Sequence, residues 1–217
     1  MDFSLLETIA LYAVPVVFAI TLHEAAHGYV ARLFGDSTAW MLGRVTANPL
    51  KHIDPVGTVL VPLGLLLLAK LAGSGGFLFG WAKPVPVNFG NLRNPKRDML
   101  WVAAAGPGAN LAMALLWAFA YRLGDEVLAS EGLQMMARAG IMINVVLMVL
   151  NLLPILPLDG GRIAVSLLPH RLAMSYSRLE PYGFMVIILL LATGLLDNLM
   201  SPLIALALAG LQLVTGI

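Results

Sequence analysis

A chain of 217 residues with 59% hydrophobic and only 12% charged residues and a mean hydropathy of +0.87 departs far from soluble domains, of which roughly a quarter of the residues are charged. At roughly 20 residues per spanning helix, about five or six hydrophobic segments use up the chain and leave no room for a separate soluble domain. A net charge of +1 gives no reason to invoke nucleic acid, and the lack of cysteine excludes disulfides, thiolate zinc ligands and a cysteine nucleophile.

In chain order, the first helix is expected from about Leu5 to Phe34, kinked at Pro15. Its flank is acidic (Asp2, Glu7) and no small-residue cleavage site follows, so it reads as mature protein rather than a signal peptide. Gly35 to Pro55 is turn-rich and reads as a surface loop. Val56 to Ala69 is uncharged but short for a span, and fits a re-entrant or interfacial helix at least as well. Gly73 to Gly90 is rich in glycine and proline, and Val85-Pro86-Val87-Asn88-Phe89 has an extended, edge-strand character.

A basic stretch, Arg93 to Arg97, then opens a long helix to about Tyr121. Another covers Leu133 to Leu153 and stops at Pro154 and Pro157. Leu158-Asp159-Gly160-Gly161 leads into a short helix to Leu168, and two apolar segments follow, Gly183 to Leu195 and Leu199 to Val214. The expected fold is therefore an all-α polytopic membrane protein of about five or six hydrophobic helices, with Val56 to Ala69 as the candidate re-entrant one and a short extended loop region, in a single membrane-embedded domain over residues 1–217.

Chemistry concentrates in the first helix. His23-Glu24-Ala25-Ala26-His27 places two imidazoles at i and i+4 on one face, with a glutamate beside the first that can reach a metal-bound water. Ionisable residues in an apolar helix are costly and mark function; the bland reading is a polar cluster satisfied by neighbouring helices or reaching the interface. A catalytic zinc usually takes three protein ligands, and the candidates for the third are His52, Asp54, His170 and Asp159. Asp159 is best placed, after prolines that end a helix in or near the bilayer and before glycines that allow close backbone approach to the metal. Its alternative role is to cap the helix that follows, while His52 and His170 read as interfacial surface histidines.

Three ordered motifs resemble the site-2 protease family, the M50 intramembrane metalloproteases. They are His23-Glu24-x-x-His27, Gly106-Pro107-Gly108-Ala109-Asn110, and Asn151-x-x-Pro154-x-x-Pro157-Leu158-Asp159-Gly160. The resemblance implies one zinc ion per chain and cleavage of peptide bonds within or beside transmembrane segments of other membrane proteins. It also implies that Asn110 and Asn151 orient substrate or stabilise the developing oxyanion. Taken alone, either asparagine could equally form an interhelical hydrogen bond, which is the better reading for Asn144. Relatives often carry PDZ or CBS domains, and none is expected here.

Three other readings compete. A small transporter or channel would use the His/Glu/Asp set as an ion pathway. A catalytically silent binding protein or chaperone of membrane segments is opposed by the intact ligand-plus-base set. Zinc proteases that cut prenylated tails share the His-Glu-x-x-His pattern but take a glutamate as third ligand, and no glutamate here occupies the right context. Requiring His23, His27 and Asp159 to meet at one depth places Gly35 to Lys96 on an even number of crossings. The basic residues then cluster on one side, which the positive-inside rule makes the cytoplasm. The resulting expectation is an integral protein of a prokaryotic inner membrane, with its site toward the cytoplasm and a transmembrane protein as substrate.

Overall fold

A computed structural model describes residues 5–61, 64, 67 and 82–217, and among them it is helical with no strand. Helix α1, Leu5–Leu33, carries Pro15 inside it. It ends in a paired-carbonyl turn: Gly35 adopts φ 111°, its N–H donates to Arg32 O at 3.1 Å, and the Asp36 N–H reaches back to Ala31 O at 2.9 Å. Glycine is the residue that takes this left-handed geometry without a Cβ penalty. A short helix α2, Thr38–Met41, follows. A helical turn, Pro55–Leu60, then starts on Asp54, whose carboxylate accepts from the Val56 and Gly57 N–H groups.

Helix α3, Pro95–Arg122, starts with proline in its first turn, where a missing N–H costs nothing. Asp98 in that turn reaches back to the Asn94 N–H at 2.7 Å. Helix α4, Glu131–Leu152, is capped by Ser130, which accepts from the Leu133 N–H. The two form an antiparallel hairpin in which Gly140 lies flat against Trp117, so close that a Cβ there would meet the indole at 2.4 Å. Helices α5 (Asp159–Leu167), α6 (His170–Ser177), α7 (Glu180–Ala192) and α8 (Leu195–Thr215) complete the described fold.

An apolar cluster joins Ala114 and Ala118 of α3 to Ile141, Val145 and Val149 of α4 and to Leu196, Met200 and Leu211 of α8. Large apolar side chains also face outward, Leu206 at 71% and Leu213 at 89% exposure, as expected for a surface solvated by lipid rather than water. Among the described residues, three helical stretches are long and apolar enough to cross a membrane: Pro95–Val127, Glu131–Leu152 and Leu195–Thr215.

Several expectations change. The stretch Val85 to Phe89 is extended as far as Asn88, Phe89 opening a short helical turn, and it pairs with no strand among the described residues; the Val85 N–H goes to Glu24 and the Asn88 N–H to Asp36. Helix α6, eight residues with a mixed polar composition, is too short and too polar to stand out as an apolar segment and was not foreseen. His52 is buried, 2% exposed, with Nε2 donating to Thr46 O, rather than a surface histidine; His170 is exposed at the start of α6. Of Val56 to Ala69, residues 62, 63, 65, 66, 68 and 69 lie outside the described residues, as do Lys70 and Gly73 to Trp81.

Candidate metal centre

The two histidines of α1 face α3 one turn apart, and α3 can approach them because Gly106 has no side chain. A Cβ at that position would lie 2.4 Å from His27 Nε2 and 2.6 Å from His23 Nε2. The first motif of α3 is thus the floor of the site. On either side of Gly106, α3 supplies an acceptor to each imidazole: Asn110 Oδ1 takes the His23 Nδ1 proton at 2.5 Å, and Val102 O takes that of His27 at 2.7 Å.

These partners decide the tautomers. A backbone carbonyl can only accept, and the Asn110 amide is oriented by its own NH2, which donates to Ala19 O at 3.3 Å and to Asn144 Oδ1 at 3.0 Å. Asn144 is oriented in turn by donating to Gly140 O at 2.8 Å. Both histidines therefore carry a proton on Nδ1 and turn Nε2 to the interior, the arrangement in which a second partner fixes a metal-ligating ring.

Asp159 opens α5. It is the first residue of that helix, whose cap is Leu158, and no side chain caps the helix end. The carboxylate instead turns inward, with Oδ2 at 3.2 Å from His23 Nε2 and 3.3 Å from His27 Nε2. The helix N-terminus favours its negative charge. The adjoining glycines serve packing against protein backbone rather than approach to a metal: a Cβ at Gly160 would fall 2.2 Å from Leu152 O, and at Gly161 2.6 Å from Leu156 N. They allow α5 to sit directly on the turn that ends α4.

His23 Nε2, His27 Nε2 and Asp159 Oδ2 converge within 4.8 Å, on side chains no more than 12% exposed. The imidazole nitrogens lie 3.1 Å apart, and Asp159 Oδ2 faces both of them with no other hydrogen-bond partner. Three donor atoms so close favour a cation among them, a proton or a metal ion. Ligand atoms about 2.0–2.1 Å from a tetrahedral zinc stand about 3.3–3.4 Å apart, close to the spacing seen. The donor set fits zinc: two neutral imidazoles and one carboxylate, with a fourth position open to water.

Glu24, next to His23, accepts the Val85 N–H on Oε2 at 2.7 Å. Asn110 is fully buried with its NH2 committed as described. Asn151 is half-buried and spends one amide hydrogen on Leu147 O of its own helix at 2.9 Å. Asn144, read from sequence as an interhelical hydrogen-bonding residue, does form one, to Asn110. Sequence reasoning named Gly106 within a motif without giving it the role of floor, and it missed the Val102 carbonyl, which carries no side-chain signal.

The family model for peptidase family M50 matches residues 120–194, the stretch that contains Asn151 and Asp159. A protein of Bacillus subtilis named "putative zinc metalloprotease YwhC" is 39% identical over 88% of this chain and 84% of its own length. A Mycolicibacterium smegmatis protein named Rip2, of the same description, is 29% identical over 84% of this chain and 66% of its own length. The Rip2 of Mycobacterium tuberculosis H37Rv is 27% identical over 83% and 65%. No solved structure matches the chain. With motif, metal geometry and relatives in agreement, the chain belongs to peptidase family M50, the site-2 protease family of zinc metalloproteases.

Proposed function

We propose that this protein is an intramembrane zinc endopeptidase that cleaves peptide bonds within or beside transmembrane segments of other membrane proteins. The observation that carries the reading is the convergence of His23 Nε2, His27 Nε2 and Asp159 Oδ2 on one buried point between α1, α3 and α5. A zinc ion held by these three residues supplies Lewis acidity, which acidifies water toward a pKa of about 7 and polarises a carbonyl. Glu24 takes the proton of the attacking water and delivers it to the leaving amine. Asn110 acts through His23, whose tautomer it sets, since neither of its amide hydrogens is free for an oxyanion. Asn151, with one amide hydrogen uncommitted, is the better oxyanion donor of the two.

The membrane setting follows from the three long apolar helices. The whole chain acts as one membrane domain in a bacterial inner membrane, its site toward the cytoplasm, with Ser37 and Ser175 inside and Ser130 outside. Because cysteine is absent, single cysteines at these positions report sidedness to an impermeant thiol reagent without background. Ser74, a further probe of this topology, lies outside the described residues.

The decisive experiment measures zinc and cleavage together, with a fluorophore–quencher transmembrane peptide as probe. Purified protein should hold about one zinc per chain. His23→Ala, His27→Ala and Asp159→Ala should lose it, and Glu24→Gln should keep it while losing cleavage. Full zinc and full cleavage in Asp159→Ala would overturn the ligand set.

A further inference from the structure

Glu24 is held by a segment far from it in sequence, residues 82–88, and that segment is itself pinned at both ends. At one end the buried Arg44 donates Nη2 to Lys83 O at 2.7 Å and to Pro84 O at 3.4 Å, and the Lys83 N–H donates to His52 O at 2.9 Å. Arg44 pairs with no carboxylate among the described residues; its charge is spent on carbonyls. At the other end Asp36, fully buried, accepts the Asn88 N–H on Oδ2 at 2.7 Å. Its Oδ1 accepts from Thr38 N–H, Thr38 Oγ1 and Asn91 Nδ2.

Between the pins, Pro84 and Pro86 have no N–H and keep the backbone extended. Val85 is thus the one residue of that triplet with an amide hydrogen, and it goes to Glu24 Oε2. The Val85 side chain anchors one turn further along α1, where a Cβ at Gly28 would meet Val85 Cγ1 at 3.0 Å and Val45 Cγ2 at 2.8 Å. A glutamate has three rotatable bonds and by itself would sample many positions. An amide fixed on one carboxylate oxygen leaves the other for the proton of the attacking water.

We infer that Asp36 and Arg44 are positioning residues for Glu24: they hold residues 82–88 taut so that the Val85 amide locks the glutamate beside the metal ligands. This rests on Glu24 being the proton-transfer group of the proposed protease. Neither residue touches the reacting atoms, and each acts through the backbone of the segment. Asp36→Asn leaves a single acceptor oxygen, which cannot serve both Asn88 and Thr38. Arg44→Lys keeps the charge and a donor, but on a compact, strongly hydrated ammonium whose reach and direction differ from those of Nη2.

Two readouts test the inference in zinc-loaded protein in lipid nanodiscs. The first is hydrogen exchange at Val85 by NMR with 15N-valine labelling. It should be slow in wild type, fast in Glu24→Ala, and accelerated in Asp36→Asn and Arg44→Gln, while the helical amides of Val102 and Val145 stay unchanged. The second is turnover of the transmembrane peptide reporter: Asp36→Asn, Arg44→Gln and Val85→Pro should lower kcat by roughly tenfold to a hundredfold with KM and zinc content kept, and Arg44→Lys should recover part of the loss. Equal Val85 exchange in wild type and Glu24→Ala, or unaltered exchange in both clamp variants, overturns the inference. So does loss of zinc in parallel with turnover, which marks a merely structural role. The two clamp variants act from opposite ends, so misfolding of one leaves the other to decide. If wild type cleaves no better than Glu24→Gln, the protease reading fails, and the exchange result still decides the clamp.

Discussion

The α1–α3–α4 seam and the α4–α8 seam are both buried helix interfaces, yet they do different work. In the first, a hydrogen-bonded line runs from Gly140 O through Asn144 and Asn110 to His23. Each link has a donor and an acceptor and so fixes direction as well as distance. In the second, Val145, Val149, Leu196, Met200 and Leu211 make contacts that any orientation of similar volume would satisfy. Polar links inside an apolar medium are costly when broken and specific when made, so they are found where a ring must point one way. Apolar packing suffices where two helices need only be adjacent.

The sharpest way to break the contrast is Gly106→Ala. Its methyl would press on two imidazoles that are themselves tied down, at 2.4 Å and 2.6 Å, and zinc occupancy by elemental analysis should fall to background with cleavage. Next is Asn110→Ala, which removes the acceptor that holds His23 and should weaken zinc affinity by about 10–100-fold in a competitive chelator titration. Asn144→Ala, one link further away, should cost less than Asn110→Ala in the same titration. Equal losses would mean that the line acts by packing alone.

Met200→Ala tests the other seam. It should lower stability toward denaturant by about 2–5 kcal/mol, as cavity-forming core substitutions do, while zinc affinity stays at the wild-type value. The smallest effect concerns acid. Burial pushes the Asp36 carboxyl up, but hydrogen bonds from Thr38, Asn88 and Asn91 outweigh it and hold the group below the ordinary value of 3.8. A depressed carboxyl contributes stability that is present above pH 3.8 and is lost as pH falls through its lowered folded value. The difference in thermal stability between wild type and Asp36→Asn should therefore be full at pH 7 and shrink below pH 3.8.

What could be read in the residues was what has a period or a chemical necessity. His23 and His27 share a face because a helix repeats every 3.6 residues, and a two-histidine site needs a third ligand. Asp159 stood out because prolines and glycines around it ended one helix and began another. The long apolar helices announced themselves by composition, the start of one by the basic stretch Arg93 to Arg97 and the end of the next by Pro154 and Pro157. The extended character of Val85 to Asn88 was also legible, although the end of the stretch at the Phe89 turn and the lack of a partner strand among the described residues were not.

The pairings across sequence distance belong to the tertiary structure. Asn110 might have faced substrate, lipid or a neighbouring helix; the register of α3 against α1 and α4 gave its carbonyl to His23 and its NH2 to Ala19 and Asn144. Val85 and Glu24 meet across 61 positions through a segment whose ends are pinned by Arg44 and Asp36, and no local pattern encodes that meeting. The physical reason is the same in both cases. Periodicity and propensity act over one or two turns of chain, whereas the partner of a buried amide or carboxylate is set by how whole helices slide and rotate against one another, a choice made only when the core closes.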